Sequence, residues 1–306
     1  VGSEMCIRDR AASTSALLDP LIRPTDSASA AVIRTALFIT SKATRLDWPP
    51  MVNPSSRQGP AFKNDAARAF TAGAFSTGAS LYHAARPSYP AEVRSLVHGG
   101  ELLDIGAGTG KLTELLLADA HRITTLEPSP DMARVLASRL TDVAVVRGTA
   151  EALPFADAQF STITCAQTWH WLDVEAASRE AARVAQPDGR LVLVWNTLDV
   201  THPWVLRYSR ISHSGDVHRE GFYPTVGNQW QLADEQRTKW IQPTTPEELI
   251  SLMRTRSYWL RASDTTRAKV EANLHWYLYE RLGFSPGQLL PLPYRTDAFA
   301  YERLCL

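Results

Sequence analysis

The sequence carries no excess of either charge: 32 lysines and arginines face 32 aspartates and glutamates in 306 residues, and no block of one sign stands out. Nucleic acids and anionic membrane surfaces normally draw on a basic excess, so neither partner is expected. Cysteine is scarce. Cys6, Cys165 and Cys305 lie far apart without metal-ligand spacing, which argues against a disulfide framework or a zinc site and fits a reducing cytoplasm. No metal is expected. Long apolar runs are missing too; none approaches the roughly 20 residues that cross a bilayer. What remains is ordinary globular composition, 44% hydrophobic and 21% charged, enough for a core in one large domain or two modest ones.

The first 60 residues differ from the rest. Residues 11–31 are rich in Ala, Ser and Thr, and Pro49, Pro50, Pro54 and Pro60 interrupt the chain further on. Such a stretch buries too little apolar surface to offset its ordering entropy. The opening run, Val1 to Arg10, resembles a translated adapter remnant, and Met51 is a candidate native start. Five acidic residues among the first 50 argue against a transit peptide. Residues 1–55 are therefore expected to be a disordered or non-native extension, and 56–306 the folded domain.

From Glu101 short apolar strands alternate with amphipathic helices. Strands are expected at Glu101–Ile105, Arg122–Leu126, Val143–Val146, Ser161–Cys165 and Arg190–Trp195. Helices are expected at Lys111–Ala118, at Pro130–Leu140 with proline in the first turn, and over about 173–185. Gln186-Pro-Asp-Gly189 reads as a turn. Alternating strands and helices with near-continuous apolar strands describe a parallel sheet covered on both faces. After Asn196 the pattern changes: residues 200–306 hold five of the nine tryptophans, helices are expected at Pro246–Thr255 and Thr265–Leu282, and Leu289–Tyr301 reads as a strand entering a turn.

Asp104-Ile-Gly106-Ala-Gly108-Thr-Gly110 sits between the first strand and first helix. Glycine lets the backbone turn tightly and lets a ligand approach where a Cβ would collide. The following helix start suits an anionic group. A dinucleotide fingerprint needs G-x-G-x-x-G, but Lys111 stands where the third glycine belongs. A P-loop needs glycine where Ile105 stands and Ser or Thr where Leu112 stands. Glu127 closes the second strand, 21 residues after Gly106, where its carboxylate can accept hydrogen bonds from both hydroxyls of a ribose. A ribose diol alone does not distinguish S-adenosylmethionine from NAD.

Together with Glu127-Pro128, Gly148-Thr-Ala-Glu-Ala-Leu-Pro-Phe155 and Gln186-Pro-Asp-Gly189, this loop resembles a class I S-adenosylmethionine-dependent methyltransferase. The resemblance is to the small-molecule branch that also includes ubiquinone-type and trans-aconitate-type enzymes, over about residues 70–197. Tyr82-His-Ala-Ala-Arg86-Pro-Ser-Tyr-Pro90, Gln167-Thr-Trp-His-Trp171 and Leu292-Pro-Tyr-Arg-Thr296 extend it. The expected fold is α/β, Rossmann-like and doubly wound, a mostly parallel seven-stranded sheet with a helical lid region inserted near the C-terminus. The cofactor core would span about 70–197, the lid and final strands about 198–306. The resemblance implies S-adenosyl-L-methionine as cofactor, with Gly106, Gly108 and Gly110 facing its methionine and ribose parts and Asp104 near its amino group. Glu127 would hold the ribose, and Thr149, Ala150 and Glu151 would border the adenine. The family often has Asp where this chain has Thr149, which weakens a side-chain contact to the adenine amino group. Gln167 would lie beside the methionine portion, and Tyr82 and Arg86 would close over the cofactor, Arg86 pairing with its carboxylate.

The expected reaction is methyl transfer to an O, N or C atom of a small organic molecule, with a monomer or homodimer at work. His170 is the candidate general base, because it follows the fourth strand and its pKa suits the task; a place in the pocket wall is the competing role. His83 is a weaker candidate. Trp169 and Trp171 are expected to line the acceptor pocket, and the tryptophan-rich 200–290 region to form a lid over a partly apolar acceptor. No Asn/Asp-Pro-Pro-Tyr/Phe follows the fourth strand, as it does in amino-methylating DNA enzymes of this fold, and Cys165 is expected to be a buried strand residue. An NAD(P)-dependent oxidoreductase and a non-catalytic S-adenosylmethionine-binding protein are the alternatives.

Overall fold

The computed structural model describes residues 78–118, 122–214 and 217–304. The expected N-terminal extension, Cys6, Met51 and Cys305 lie outside these residues. Seven strands form one sheet: β1 Glu101–Ile105, β2 Arg122–Leu126, β3 Ala144–Val146, β4 Phe160–Ala166, β5 Ala185–Leu198, β6 Trp230–Thr244 and β7 Leu290–Arg303, in the order β3-β2-β1-β4-β5-β7-β6. Pairings from β3 through β5 are parallel; β7 runs antiparallel to both neighbours. The mostly parallel seven-stranded sheet is as the sequence predicts.

Period-two alternation assigns each strand residue to a face. Leu103, Ile105, Leu191 and Leu193 join the core on one side, with Phe160, Trp195 and Ala181 of α4 (Val174–Val184). Leu102, Val192 and Val194 join the other, with Leu112 and Leu116 of α2 (Lys111–Leu117). Asp104 shares the register of Leu102 and so points toward α2. Local chemistry sets the helix starts. Ser129 accepts from the Met132 amide ahead of α3 (Pro130–Arg139), and Asp173 from the Ala176 amide ahead of α4.

Beyond β5 helices and the last two strands follow one another, as expected of the lid and final strands, with more elements than the sequence marked. The helices α5 (Pro203–Ile211), α6 (Pro246–Arg254), α7 (Ser257–Arg261) and α8 (Asp264–His275) are there, but a 15-residue strand, β6, lies between α5 and α6. Its run Gln231–Glu235 is exposed, so an edge strand facing water shows no apolar alternation to read. The expected helix Thr265–Leu282 is α8 continued by a wide π-type turn, Trp276–Arg281. β7 runs straight to Arg303 without the expected turn. Gln186–Gly189 is an excursion within β5: Phe160 pairs with Ala185, and Thr162, two residues on, pairs with Arg190. Helices α5, α6 and α8 gather a third core around Leu249, Met253, Leu274 and Tyr277, beside the C-terminal end of β5.

Candidate active site

The sheet order reverses between β1 and β4, and open α/β sheets bind ligands at the carboxyl ends of such strands. A cavity of about 730 Å³ opens there, within the range of small-molecule sites. Its wall includes Tyr82 and Arg86 from the stretch at α1 (Ala79–Ala85), Asp104, Gly106 and Gly108 from the loop after β1, and Glu127 after β2. Thr149, Ala150 and Glu151 line it from beyond β3, and Gln167, His170 and Trp171 from beyond β4.

The three glycines have different reasons to be glycine. All take positive φ, 65°, 58° and 86° for Gly106, Gly108 and Gly110, a region costly to residues with a Cβ. The Gly106 and Ala107 amides donate to the Leu126 carbonyl at 2.8 and 3.2 Å, tying the loop to β2. A Cβ on Gly106 would lie 2.4 Å from the Thr168 methyl carbon, and one on Gly110 2.9 Å from Leu140 Cδ1. The sequence predicts Gly110 beside the cofactor; it lies outside the cavity wall, packed on Leu136 and Leu140 at the start of α2. Around Gly108 a Cβ would meet nothing within 4 Å. Only there does the missing side chain leave open space in the cavity wall.

Two buried carboxylates flank the loop. Asp104, 1% exposed, accepts from Thr113 Oγ1 at 2.6 Å and Thr164 Oγ1 at 2.8 Å. Burial raises its carboxyl to about 6, opposed by those two hydrogen bonds and reinforced by the nearby Glu127. Glu127 accepts the Gly108 amide on Oε2 and the Ser129 amide on Oε1, both at 2.8 Å. Burial raises this carboxyl as well, against the pull of the two amides. A carboxylate has about four acceptor positions, so two amides leave room for ligand hydroxyls.

At the other end, Gln167 sits at φ 56°, an unusual conformation outside glycine, and its Nε2 donates to the Asn196 carbonyl at 2.7 Å. Trp195 Nε1 donates to His170 Nδ1 at 3.2 Å. Indole is a donor only, so a neutral His170 carries its proton on Nε2. Its ring gains a second proton only by losing the Trp195 bond, which bears against the simple base expected from the sequence. Trp171 lines the cavity, but Trp169 turns into the core and donates to the Thr225 carbonyl at 2.9 Å. His83 meets Thr109 Oγ1 at 3.0 Å instead of entering the cavity wall, and burial, then Lys111, lower its pKa. Arg86 stacks on the Tyr82 ring and donates from Nε and Nη2 to the hydroxyl and carbonyl of Thr255, at 3.0 and 3.2 Å. Cys165 is fully buried in β4.

Asn196, His213, Arg256, Ser257 and Tyr294 also line the wall; Tyr294 falls within the Leu292–Thr296 match, and no sequence signal marked the other four. None of the five tryptophans after residue 200 lines the cavity. Trp204 and Trp230 are buried, and Trp240 stacks on Tyr294 at 5.2 Å. Trp240 and Trp259 are partly buried against the third core and Trp276 is exposed, so the tryptophans themselves give the cavity no apolar wall. Among the described residues, no group of three or more His, Cys, Asp or Glu could hold a metal ion, and no helix is long and apolar enough to cross a membrane.

Residues 103–193 match a family model described as a methyltransferase domain. The chain is 34% identical over 226 residues to an uncharacterized methyltransferase of Mycobacterium tuberculosis, covering 72% of this chain and 92% of the relative. An uncharacterized methyltransferase-like protein of Schizosaccharomyces pombe is 30% identical over 248 residues, covering 75% and 95%. In fold, the chain is similar to a putative type II methyltransferase from Anaeromyxobacter dehalogenans, with a TM-score of 0.54 at 22% identity over 70% of this chain and 97% of that one. With the glycine loop, the buried carboxylates and the cavity at the strand-order reversal, these relationships make the chain a member of the class I, S-adenosylmethionine-dependent methyltransferases.

Proposed function

We propose that the chain transfers a methyl group from S-adenosyl-L-methionine to an O, N or C atom of a small organic acceptor held at the far end of the same cavity. The observation that carries this is one continuous chamber running from Glu127 and Thr149, past Gly108, to His170, Trp171 and Tyr294. Glu127 takes the ribose diol, Thr149 and Ala150 border the adenine, and Asp104 faces the amino group. Gly106 and Gly108 run beside the methionine and ribose, while Gln167 flanks the methionine portion and Tyr82 and Arg86 close over it. In this division residues of about 70–197 hold the cofactor, and much of the acceptor wall comes from beyond residue 198.

When bound, the cofactor supplies an electrophilic sulfonium methyl. The chain's own task is then to align the acceptor and exclude water, effects worth on the order of 7–11 kcal/mol in favourable cases. Arg86, bonded to Thr255, ties the stretch after α1 to the end of α6 beside the cavity. His170, held by Trp195, contributes an oriented imidazole next to Trp171 at the acceptor end.

Calorimetry with S-adenosylmethionine, its demethylated product and NADH tests the cofactor assignment, with binding of the first two and not of NADH as the expected result. Transfer of labelled methyl across a panel of small metabolites tests catalysis; binding without transfer to any of them would favour a non-catalytic binding protein.

A further inference from the structure

Asn196 lies in β5 between three parts of the site, 4% exposed and in the cavity wall. Its side-chain Nδ2 donates to the Ser88 carbonyl at 2.8 Å, and its Oδ1 accepts from Thr296 Oγ1 at 2.6 Å. Its backbone carbonyl accepts from Gln167 Nε2. The chain of bonds begins at the outer edge of the sheet, where Trp240 Nε1 in β6 donates to Thr296 Oγ1 at 2.8 Å.

Each bond has a determined direction. The Ser88 carbonyl only accepts, so the Asn196 NH₂ must face it. The Thr296 hydroxyl, which accepts from the donor-only indole of Trp240, spends its own hydrogen on the other end of the amide. The carbamoyl oxygen of Asn196 therefore faces Thr296, and its NH₂ faces the Ser88 carbonyl. An aspartate in this place would set a carboxylate against a carbonyl oxygen. Ser88 belongs to the stretch Arg86-Pro-Ser-Tyr89, of which Arg86, Pro87 and Tyr89 line the cavity. One residue, its side chain oriented from β7 and Ser88, thus pins this strap of the cavity wall, while its backbone carbonyl holds Gln167.

We propose that Asn196 is a positioning residue for methyl transfer: through Ser88 it seats the Arg86–Tyr89 strap against the cavity, so that Arg86 meets the cofactor. The inference rests on the cofactor assignment above. Asn196 itself need not touch the cofactor to act in this way; its effect passes through the strap.

The test measures S-adenosylmethionine dissociation constants by calorimetry, with circular dichroism and thermal unfolding, for the full chain and for Asn196→Asp, Arg86→Gln and the double variant. Asn196→Asp is expected to weaken binding tenfold or more, but by less than twofold when added to Arg86→Gln, because the strap's contribution is already lost. Equal weakening in both backgrounds would mean a general structural role and would overturn the proposal, as would binding within twofold of wild type in Asn196→Asp. If Asn196→Asp does not fold, Thr296→Val, which removes the orienting hydroxyl and keeps the amide, takes its place with the same two criteria at a threefold expected loss. Absence of cofactor binding by the wild-type chain would instead sink the parent assignment and this proposal with it. Binding by wild type with additive effects sinks this proposal alone.

Discussion

Replacing Asp104 by asparagine should make the protein more stable and a poorer cofactor binder at once. Raising a carboxyl from 3.8 to about 6 corresponds to about 3 kcal/mol. The sign follows from proton counts: the native state holds the Asp104 proton more tightly than the unfolded chain, so between about pH 4 and 6 unfolding releases it. Stability from this group is greatest below pH 4, falls as pH rises to about 6, and stays low above that. Asparagine removes the cost of the buried charge but must find an acceptor for its NH₂ in the Thr113 or Thr164 hydroxyl, both of which can rotate. Allowing about 1 kcal/mol for that imperfect exchange, a net gain of roughly 1–2 kcal/mol is expected at pH 7.5. Urea unfolding of both proteins from pH 4.5 to 8 should show a gain that grows to pH 6 and then levels. Calorimetry of the same variant at pH 7.5 should show cofactor binding weaker by about 1.5–3 kcal/mol, the range for a charge-assisted hydrogen bond. A variant less stable than wild type at pH 7.5, or a gain unchanged between pH 5 and 7.5, would refute the account of the buried charge.

Other substitutions probe single residues. Glu127→Ala should weaken S-adenosylmethionine binding by roughly 1.5–3 kcal/mol; an unchanged dissociation constant in calorimetry would remove the ribose assignment. Gly108→Ala places a methyl in open cavity space, so unfolding should shift by only about 1–2 kcal/mol from positive φ, while cofactor affinity falls at least tenfold. Gly106→Ala drives a Cβ to 2.4 Å from the Thr168 methyl and should cost clearly more stability than Gly108→Ala in parallel melts; the reverse order would contradict the geometry. Asp297→Ala should cost about 3–5 kcal/mol in denaturant unfolding, because Arg295 and Arg237 both hold this fully buried carboxylate.

Several of the features that proved legible in sequence are local in origin. The glycine loop and Glu127 stand at strand ends, where a backbone turn or one carboxylate has a fixed relation to its neighbours. The Leu191–Trp195 part of β5 was readable because both faces are covered and its apolar run is continuous. Helices with a cap and a first-turn proline, such as α3 and α6, had starts marked in the sequence. β6 left no such trace, because Gln231–Glu235 is exposed and the strand carries Asp234, Glu235, Arg237 and Lys239 in place of an apolar run. The tryptophans after residue 200 looked like a lid and are mainly packing, since an aromatic reads the same in sequence whether it meets a ligand or a core.

The residue order by itself determined that the chain is α/β, that its first β–α loop is glycine-rich, and that an acid follows at the next strand. Tertiary structure decided which of those residues share a space. It turned Gly110 into a packing residue and left Gly108 as the open one, tied Trp195 to His170, and brought Asn196, Ser88, Thr296 and Trp240 into one hydrogen-bonded line. The division has a physical reason. Backbone conformation and period are written over neighbouring residues, whereas this cavity's walls join the ends of strands β1 and β4 to residues as distant in sequence as Arg256, Ser257 and Tyr294, and only folding brings them into contact.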